Sequence, residues 1–201
     1  MPAERNFLAE TLRRYPDLPE YALWRAIELR LLSRLTFAEP ILDLGCGDGG
    51  FVELLLGGGR DIVGLDAEAQ VLPHARRTGM YREVLEADAT RLPFRDATFA
   101  SLLSNCVLEH IPEDAAAVRE MGRVLRPGGL AALTVPSTQL REGLYTYRQL
   151  LARGRQEEAE QYLRDFDVRV AHHHYHSVEE WRELLAAAGM TVESVEGYLP
   201  A

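Results

Sequence analysis

Ile41-Leu42-Asp43-Leu44-Gly45-Cys46-Gly47-Asp48-Gly49-Gly50 is the stretch that decides the fold. Aliphatic residues surround one acid, and glycines then fall at every second position. The first four residues read as a buried β-strand, and the glycines as a loop with almost no side chains. Without a Cβ, glycine accepts positive φ and lets a ligand lie against the backbone. A helix predicted from Gly50 to Leu56 turns its N-terminal partial positive charge toward the same place. The arrangement is that of a nucleotide-type pocket at the carboxyl end of a strand.

The loop alone does not name a ligand. Gly45, Gly47 and Gly50 satisfy G-x-G-x-x-G, and Asp66 follows at the distance expected of a ribose-binding acid, so a nicotinamide dinucleotide is one reading. A glycine-rich turn with no ligand is another. Asp43, two residues before the first glycine, would set a negative charge near a diphosphate. A second strand-end acid, Asp88, lies in Leu85-Glu86-Ala87-Asp88-Ala89. A ligand with a cationic centre, an amino group, a ribose and an adenine suits these acids better than one with two phosphates.

The chain has 201 residues, 47% of them hydrophobic and 26% charged, enough for one domain with a real core. Its net charge of −9 argues against a nucleic-acid surface, and no run of Lys or Arg offsets it. No apolar run reaches the length of a membrane span, and the N-terminus lacks a basic region followed by an apolar stretch, so a cytoplasmic location is expected. Cys46 and Cys106 do not make a disulfide framework and read as small residues in tight space.

Residues up to about Pro19 read as an irregular arm. Leu23, Trp24, Ile27, Leu31 and Leu35 recur three and four apart, which predicts an amphipathic helix from Glu20 to about Leu35. Strands are predicted at Ile41–Leu44, Ile62–Asp66, Glu83–Ala87, Phe99–Ser104 and Leu130–Val135. Helices are predicted at Phe51–Leu56, Ala67–Thr78 and Glu113–Leu125. Such alternation means parallel strands with right-handed crossovers, hence an α/β, doubly wound, mostly parallel sheet. Residues from Ser137 to about Tyr175 read as a helical segment rich in Tyr and charge. Ser177-Val178-Glu179-Glu180 is a capping box opening a helix that Gly189 ends, and Thr191 to Tyr198 reads as a sixth strand.

At this point the chain resembles the class I S-adenosylmethionine-dependent methyltransferases, in particular their small-molecule, type 11-like group. Five motifs carry the resemblance in order: Leu42–Gly49; Ile62–Asp66; Glu86–Ala89 with Leu92-Pro93-Phe94; Phe99–Ser104 with Asn105–Pro112; and Val124–Gly129 running into Leu130–Val135. The resemblance implies a Rossmann-like methyltransferase fold in a single domain. Its parts would be an arm and helix over 1–36, a cofactor core over 41–136, a substrate cap over 137–176, and a final helix and strand over 177–199. The family's last antiparallel strand has no segment left to form it, so this strand is expected to be absent or truncated. The exposed sixth strand would then be an edge for a homodimer.

The resemblance further implies S-adenosyl-L-methionine as cofactor and S-adenosyl-L-homocysteine as product. Asp66, beside Ala67, should accept the ribose hydroxyls; the alternative for Asp66 is a helix cap. Asp88 and the Ala89 amide should meet the adenine. Asp43, Gly45, Cys46 and Gly47 should form the loop under the methionine moiety, bounded by Ser104 or Asn105, with Arg25 as a partner for its carboxylate. His110, oriented by Glu109, is the candidate general base, if the acceptor must lose a proton. Tyr145, Tyr147 and His176 are candidates for a substrate pocket. His172-His173-His174-Tyr175-His176 looks like a metal box. Consecutive histidines point apart, however, and no Cys or Asp stands at ligand spacing, so no metal is expected. The expected activity is methyl transfer to an oxygen, nitrogen or carbon of a small molecule, with no nucleic-acid partner and no membrane span. A nicotinamide oxidoreductase, or a catalytically silent binder of S-adenosylmethionine, is the alternative.

Overall fold

A computed structural model describes residues 5–198 of the chain. It divides into two compact units, residues 1–105 with 124–133, and residues 106–123 with 134–201.

The first unit begins with a helix where an irregular arm was expected. Helix α1 spans Phe7–Arg14; Asn6 caps it by accepting the Ala9 amide at 3.0 Å. The segment is short and polar and would not hold a helix alone. Its Phe7 is instead buried among residues of α2 (Pro19–Leu32), which include Ala26, Leu29 and Leu32. Alternation then follows in the order read, though α4 begins five residues later than the predicted Ala67: β1 (Ile41–Leu44), α3 (Gly50–Leu56), β2 (Ile62–Asp66), α4 (Leu72–Arg77), β3 (Glu83–Glu86) and β4 (Phe99–Asn105). The last strand, β5 (Leu125–Thr134), begins earlier than predicted and takes in Arg126-Pro127-Gly128-Gly129.

The sheet order is β3-β2-β1-β4-β5, with β1 at its centre. Registers are parallel: Leu42 lies between Val63 and Leu102, and Leu44 between Leu65 and Ser104. The aliphatic residues of β1 are completely buried. Ile41, Ile62 and Leu103 form one face, packed with Phe7, Leu29, Val52 and Leu55. Because the strands run the same way, Leu44, Asp66, Glu86 and Asn105 all finish at one edge of the sheet. Among the described residues no antiparallel strand is found, as expected of the last strand of the family.

The second unit contains a 3-10 turn (Leu108–His110), nearly all of α5 (Asp114–Val124), α6 (Gln139–Gly143), α7 (Tyr145–Ala152), α8 (Gln156–Val170) and α9 (Val178–Ala187). The capping box read at Ser177 is present: Glu180 receives the Ser177 amide at 2.7 Å and returns its own amide to the Ser177 hydroxyl at 3.2 Å. The expected sixth strand is not formed. Residues 191–198 carry no regular secondary structure, and Val195 is exposed. Val192 and Val195 are three apart, so an extended chain would put them on opposite faces, and a strand there would bury neither face well. The edge expected to carry a dimer contact is therefore not formed by this segment. Residue 199 lies outside the described residues.

Helix α5 passes very close to the end of α9. A Cβ built on Gly122 would lie 2.2 Å from the Ala188 carbonyl oxygen, a backbone atom that cannot swing aside. Gly122→Ala should therefore force the two segments apart and destabilise the protein by about 1–3 kcal/mol. Urea unfolding that gives the parent's midpoint for this variant would show that the contact is loose.

Candidate active site

The glycine loop is tied to the sheet by backbone and carboxylate together. Gly45, Gly47 and Gly49 have φ of 72°, 53° and 80°, the left-handed region that glycine adopts without strain. The amides of Gly45 and Cys46 donate to the Leu65 carbonyl on β2 at 2.7 and 3.0 Å. Asp66, one residue on, accepts the Gly47 amide on one oxygen (2.8 Å) and the Glu68 amide on the other (2.9 Å). Asp66 thus ties the glycine loop to the turn after β2 and caps no helix, since α4 begins at Leu72 behind Val71, and carboxylate oxygens retain further lone pairs for hydroxyl donors. Asp48 stiffens the next turn, accepting the Gly50 amide at 2.8 Å and pairing with Arg14 of α1 at 2.8 Å.

Asp43 is 5% exposed, and its carboxyl accepts the Tyr81 hydroxyl at 2.7 Å. Burial pushes this carboxyl up from 3.8 to about 7; the Tyr81 hydrogen bond opposes the rise and Asp66 adds to it. Tyr81 also fills the space beside the loop: a Cβ on Gly49 or on Gly64 would meet its ring at 2.9 Å. Sequence reasoning did not find Tyr81, which precedes β3 with no motif around it. Cys46 is buried and its thiol is pushed well above its ordinary range, chiefly by burial, so it is inert packing beside the same acids.

Asp88 and Ala89 follow β3. Asp88 is exposed and accepts the Thr90 amide at 2.8 Å, while Ala89 is buried. Ala67 is exposed next to Asp66. Ser104, at the end of β4, is buried and its hydroxyl has no hydrogen-bond partner among the described residues. Asn105 is engaged by α2. Its side-chain oxygen accepts Arg25, and its amide donates to Glu28 at 3.2 Å. Arg25 and Glu28 form an ion pair at 2.8 Å, and the Trp24 indole donates to Glu28 at 2.8 Å. Arg25 is therefore placed at the strand edge already countered by a carboxylate. Glu28, completely buried, was missed. Its signal was an acid three residues after Arg25 and four after Trp24, on one helical face.

In the second unit the histidines separate by alternation. His110 and His172 meet edge to face, ring centroids 5.0 Å apart, beside the buried Glu109. His110 Nδ1 contacts the Ala171 carbonyl at 3.1 Å, and its Nε2 lies 4.0 Å from Glu109. His174 and His176 stack at 5.2 Å and face Asp114; His176 Nε2 is 2.6 Å from an Asp114 oxygen. His176 also lines a shallow groove with Glu180, Glu183, Leu184 and Ala187 of α9. Tyr145 and Tyr147 are not in that groove, and Tyr145 is 77% exposed. The three substrate-pocket candidates are thus not brought together.

Asp43 generates a pH signature. Its folded pKa exceeds its unfolded value, so between about 4 and about 7 the native state keeps a proton that the unfolded state has lost. Stability contributed by this group is therefore full at the acid end, declines through that window and is flat above it. Asp43→Asn lacks the change. The difference in melting temperature between Asp43→Asn and the parent should grow from pH 4 to pH 7 and then level off. Parallel curves would exclude a raised Asp43.

Comparison with known proteins bears on this geometry. Residues 42–133 match a family model described as a methyltransferase domain, the span from β1 to β5. The chain is 35% identical over 134 residues to a demethylmenaquinone methyltransferase of Corynebacterium urealyticum, covering 65% of this chain and 56% of the relative. It is 37% identical over 109 residues to the malonyl-acyl-carrier-protein O-methyltransferase of Enterobacter lignolyticus, covering 54% of this chain and 43% of the relative. It spans about half the length of the curated relatives it matches. In fold it is similar to a chain solved in complex with the Haloferax volcanii Trm112 methyltransferase activator, with a TM-score of 0.65 at 20% identity, covering 96% of this chain and 79% of that one. Five ordered motifs, the parallel sheet with a carboxylate-tied glycine loop at its edge, and these matches agree: over residues 42–133 the chain is similar to S-adenosylmethionine-dependent methyltransferases.

Proposed function

We propose that the protein transfers a methyl group from S-adenosyl-L-methionine to an oxygen, nitrogen or carbon atom of a small molecule, releasing S-adenosyl-L-homocysteine. The observation that carries the reading is the placement of Asp43, Asp66 and Asp88 at or just beyond the ends of three adjacent parallel strands, around one glycine loop. The donor set fits the cofactor. A Cβ on Gly47 would meet nothing within 4 Å, so the loop presents open backbone there. Asp66 suits the ribose and the exposed Asp88 suits an exocyclic amine. When bound, the cofactor supplies a methyl group already activated on a sulfonium.

The chain's own residues then bind and orient. Asp66 holds loop and ligand hydroxyls with the same two oxygens. Asp43 offers negative charge beneath the loop, and a cationic ligand favours its ionised form over its protonated one. Arg25, Glu28 and Asn105 form a fixed polar wall at the end of β4, with Arg25 able to meet a carboxylate. Positioning supplies most of what an in-line transfer from an activated donor requires. The small-molecule class is supported by a net charge of −9, which opposes binding to a polyanion. By their names the two relatives act on demethylmenaquinone and on malonyl-acyl-carrier protein, and neither acceptor is assigned to this chain.

Ligand linkage tests the reading. S-adenosylhomocysteine at a hundredfold over its Kd should stabilise the protein by about 2.7 kcal/mol, and NAD should not. A melting shift with NAD alone would return the nicotinamide alternative. Turnover of labelled cofactor with a metabolite extract separates an enzyme from a silent binder.

Asp66→Ala removes an acceptor for hydroxyls and for the Gly47 amide. Hydrogen bonds to a charged group contribute about 1.5–3 kcal/mol, so cofactor affinity should fall at least about tenfold, and less in Asp66→Asn. Calorimetric titration giving the parent's affinity in both folded variants would leave Asp66 as a tie for the loop only.

A further inference from the structure

We propose that Glu109, His110 and His172 form a binding site for one divalent transition-metal ion of the zinc class. The three residues each offer a ligand atom, and these atoms lie within 4.8 Å of one another. This reverses the expectation that the histidine run binds no metal. The run does diverge, as a chain of consecutive histidines must. The missing companion comes from elsewhere, the 3-10 turn Leu108–His110 that follows β4.

Hydrogen bonding decides which nitrogen of each ring carries the lone pair. A carbonyl oxygen only accepts, so His110 Nδ1, 3.1 Å from the Ala171 carbonyl, carries the hydrogen, and Nε2 is left as the electron-pair donor. That Nε2 is the atom 4.0 Å from the Glu109 carboxylate. His172 Nδ1 is 2.9 Å from the Tyr175 hydroxyl. Tyr175 has one hydrogen and gives it to Asp167 at 2.8 Å, so toward His172 its oxygen accepts. His172 therefore also bears its hydrogen on Nδ1 and keeps Nε2 for a ligand. Both rings show the outer-shell pattern of metal-binding histidines, in which the second nitrogen donates to a carbonyl or to a carboxylate chain. Arg141, 3.1 Å from Asp167, anchors the far end of that chain.

Burial and charge agree. Glu109 is 2% exposed, and a carboxylate out of water is favoured by a cation. Ligand atoms now at most 4.8 Å apart would draw in to roughly 3.3 Å, the separation of two ligands about 2.0 Å from a tetrahedral ion. Three protein ligands leave a fourth position for water or an oxygen-bearing molecule.

The second histidine group does not share this pattern. His174 Nε2 lies 2.8 Å from the Pro112 carbonyl and so bears a hydrogen, and His176 Nε2 meets Asp114 as a hydrogen-bond partner at 2.6 Å. There the nitrogens facing the carboxylate are donors, and the group is a hydrogen-bonded pair.

The proposal stands independently of methyl transfer. The test uses the full chain without an affinity tag, stripped by a chelator and titrated with Co²⁺ while visible d–d bands are followed, then competed with Zn²⁺. One ion per chain is expected. His110→Ala, at a ring 42% exposed and so least harmful to folding, should weaken binding at least about tenfold. Tyr175→Phe, which removes the hydroxyl that accepts from His172 and donates to Asp167, should weaken it about 10–100-fold. His176→Ala should leave it unchanged. A parent that takes up no stoichiometric ion overturns the proposal, as does binding lost in His176→Ala and kept in His110→Ala. Titration of the same samples with S-adenosylhomocysteine keeps failure of the metal site distinct from failure of the cofactor site.

Discussion

The hydrogen bond from the Gly47 amide to Asp66 is the constraint on which the glycine-loop edge of the sheet depends. A loop of alternating glycines has little side-chain packing to hold it and much conformational entropy to lose. Its shape must be imposed by partners outside it. Leu65 and Asp66 supply those partners from the adjacent strand, through one carbonyl and one carboxylate. The parallel β1–β2 register decides that they stand beside the loop: Leu44 pairs with Leu65, so the next residues on each strand meet. The ladder that makes the core thus also shapes the glycine loop.

A second constraint lies under α2. Glu28 is completely buried with Arg25 beside it, and their charges are satisfied by each other, by Trp24 and by Asn105. Burying such a pair costs desolvation that the attraction only partly offsets, and removing one partner leaves an uncompensated charge. The network is better understood as a fixture than as a source of stability. It holds the end of β4 against α2 in one arrangement and gives that part of the edge a rigid polar surface.

Much of this was legible in the residues. The alternation of apolar runs with glycine turns identifies four of the strands closely, because buried parallel strands must be short and aliphatic. Asp66 and Asp88 are readable because each ends or follows such a run, and Asp43 because it interrupts one. Tyr81 and Glu28 are not: one is an isolated ring before a strand, the other an acid on an apolar helix, and only tertiary packing reveals their partners. The arm failed as a reading for a related reason. Phe7 stabilises α1 through contacts with α2, which no local pattern records. Thr191–Tyr198 failed in the opposite direction, since β-forming residue types there lack the two-residue period a strand requires. The neighbours of the histidine run are not legible in its spacing, because the carboxylates Glu109 and Asp114 sit about sixty positions away in sequence.

Gly50 has a history that its own conformation does not explain. Its φ is not in the left-handed region, yet a Cβ there would lie 2.6 Å from the Arg14 guanidinium. The crowding comes from the end of a flexible side chain, so a larger residue at 50 would be accommodated by displacing Arg14 and severing its pair with Asp48. Positions 14 and 50 consequently share one volume. Substitutions at the two sites are epistatic, since shortening Arg14 relieves most of the cost of a side chain at 50. Part of the glycine spacing that looks like a ligand fingerprint is, at this position, an imprint of the first helix.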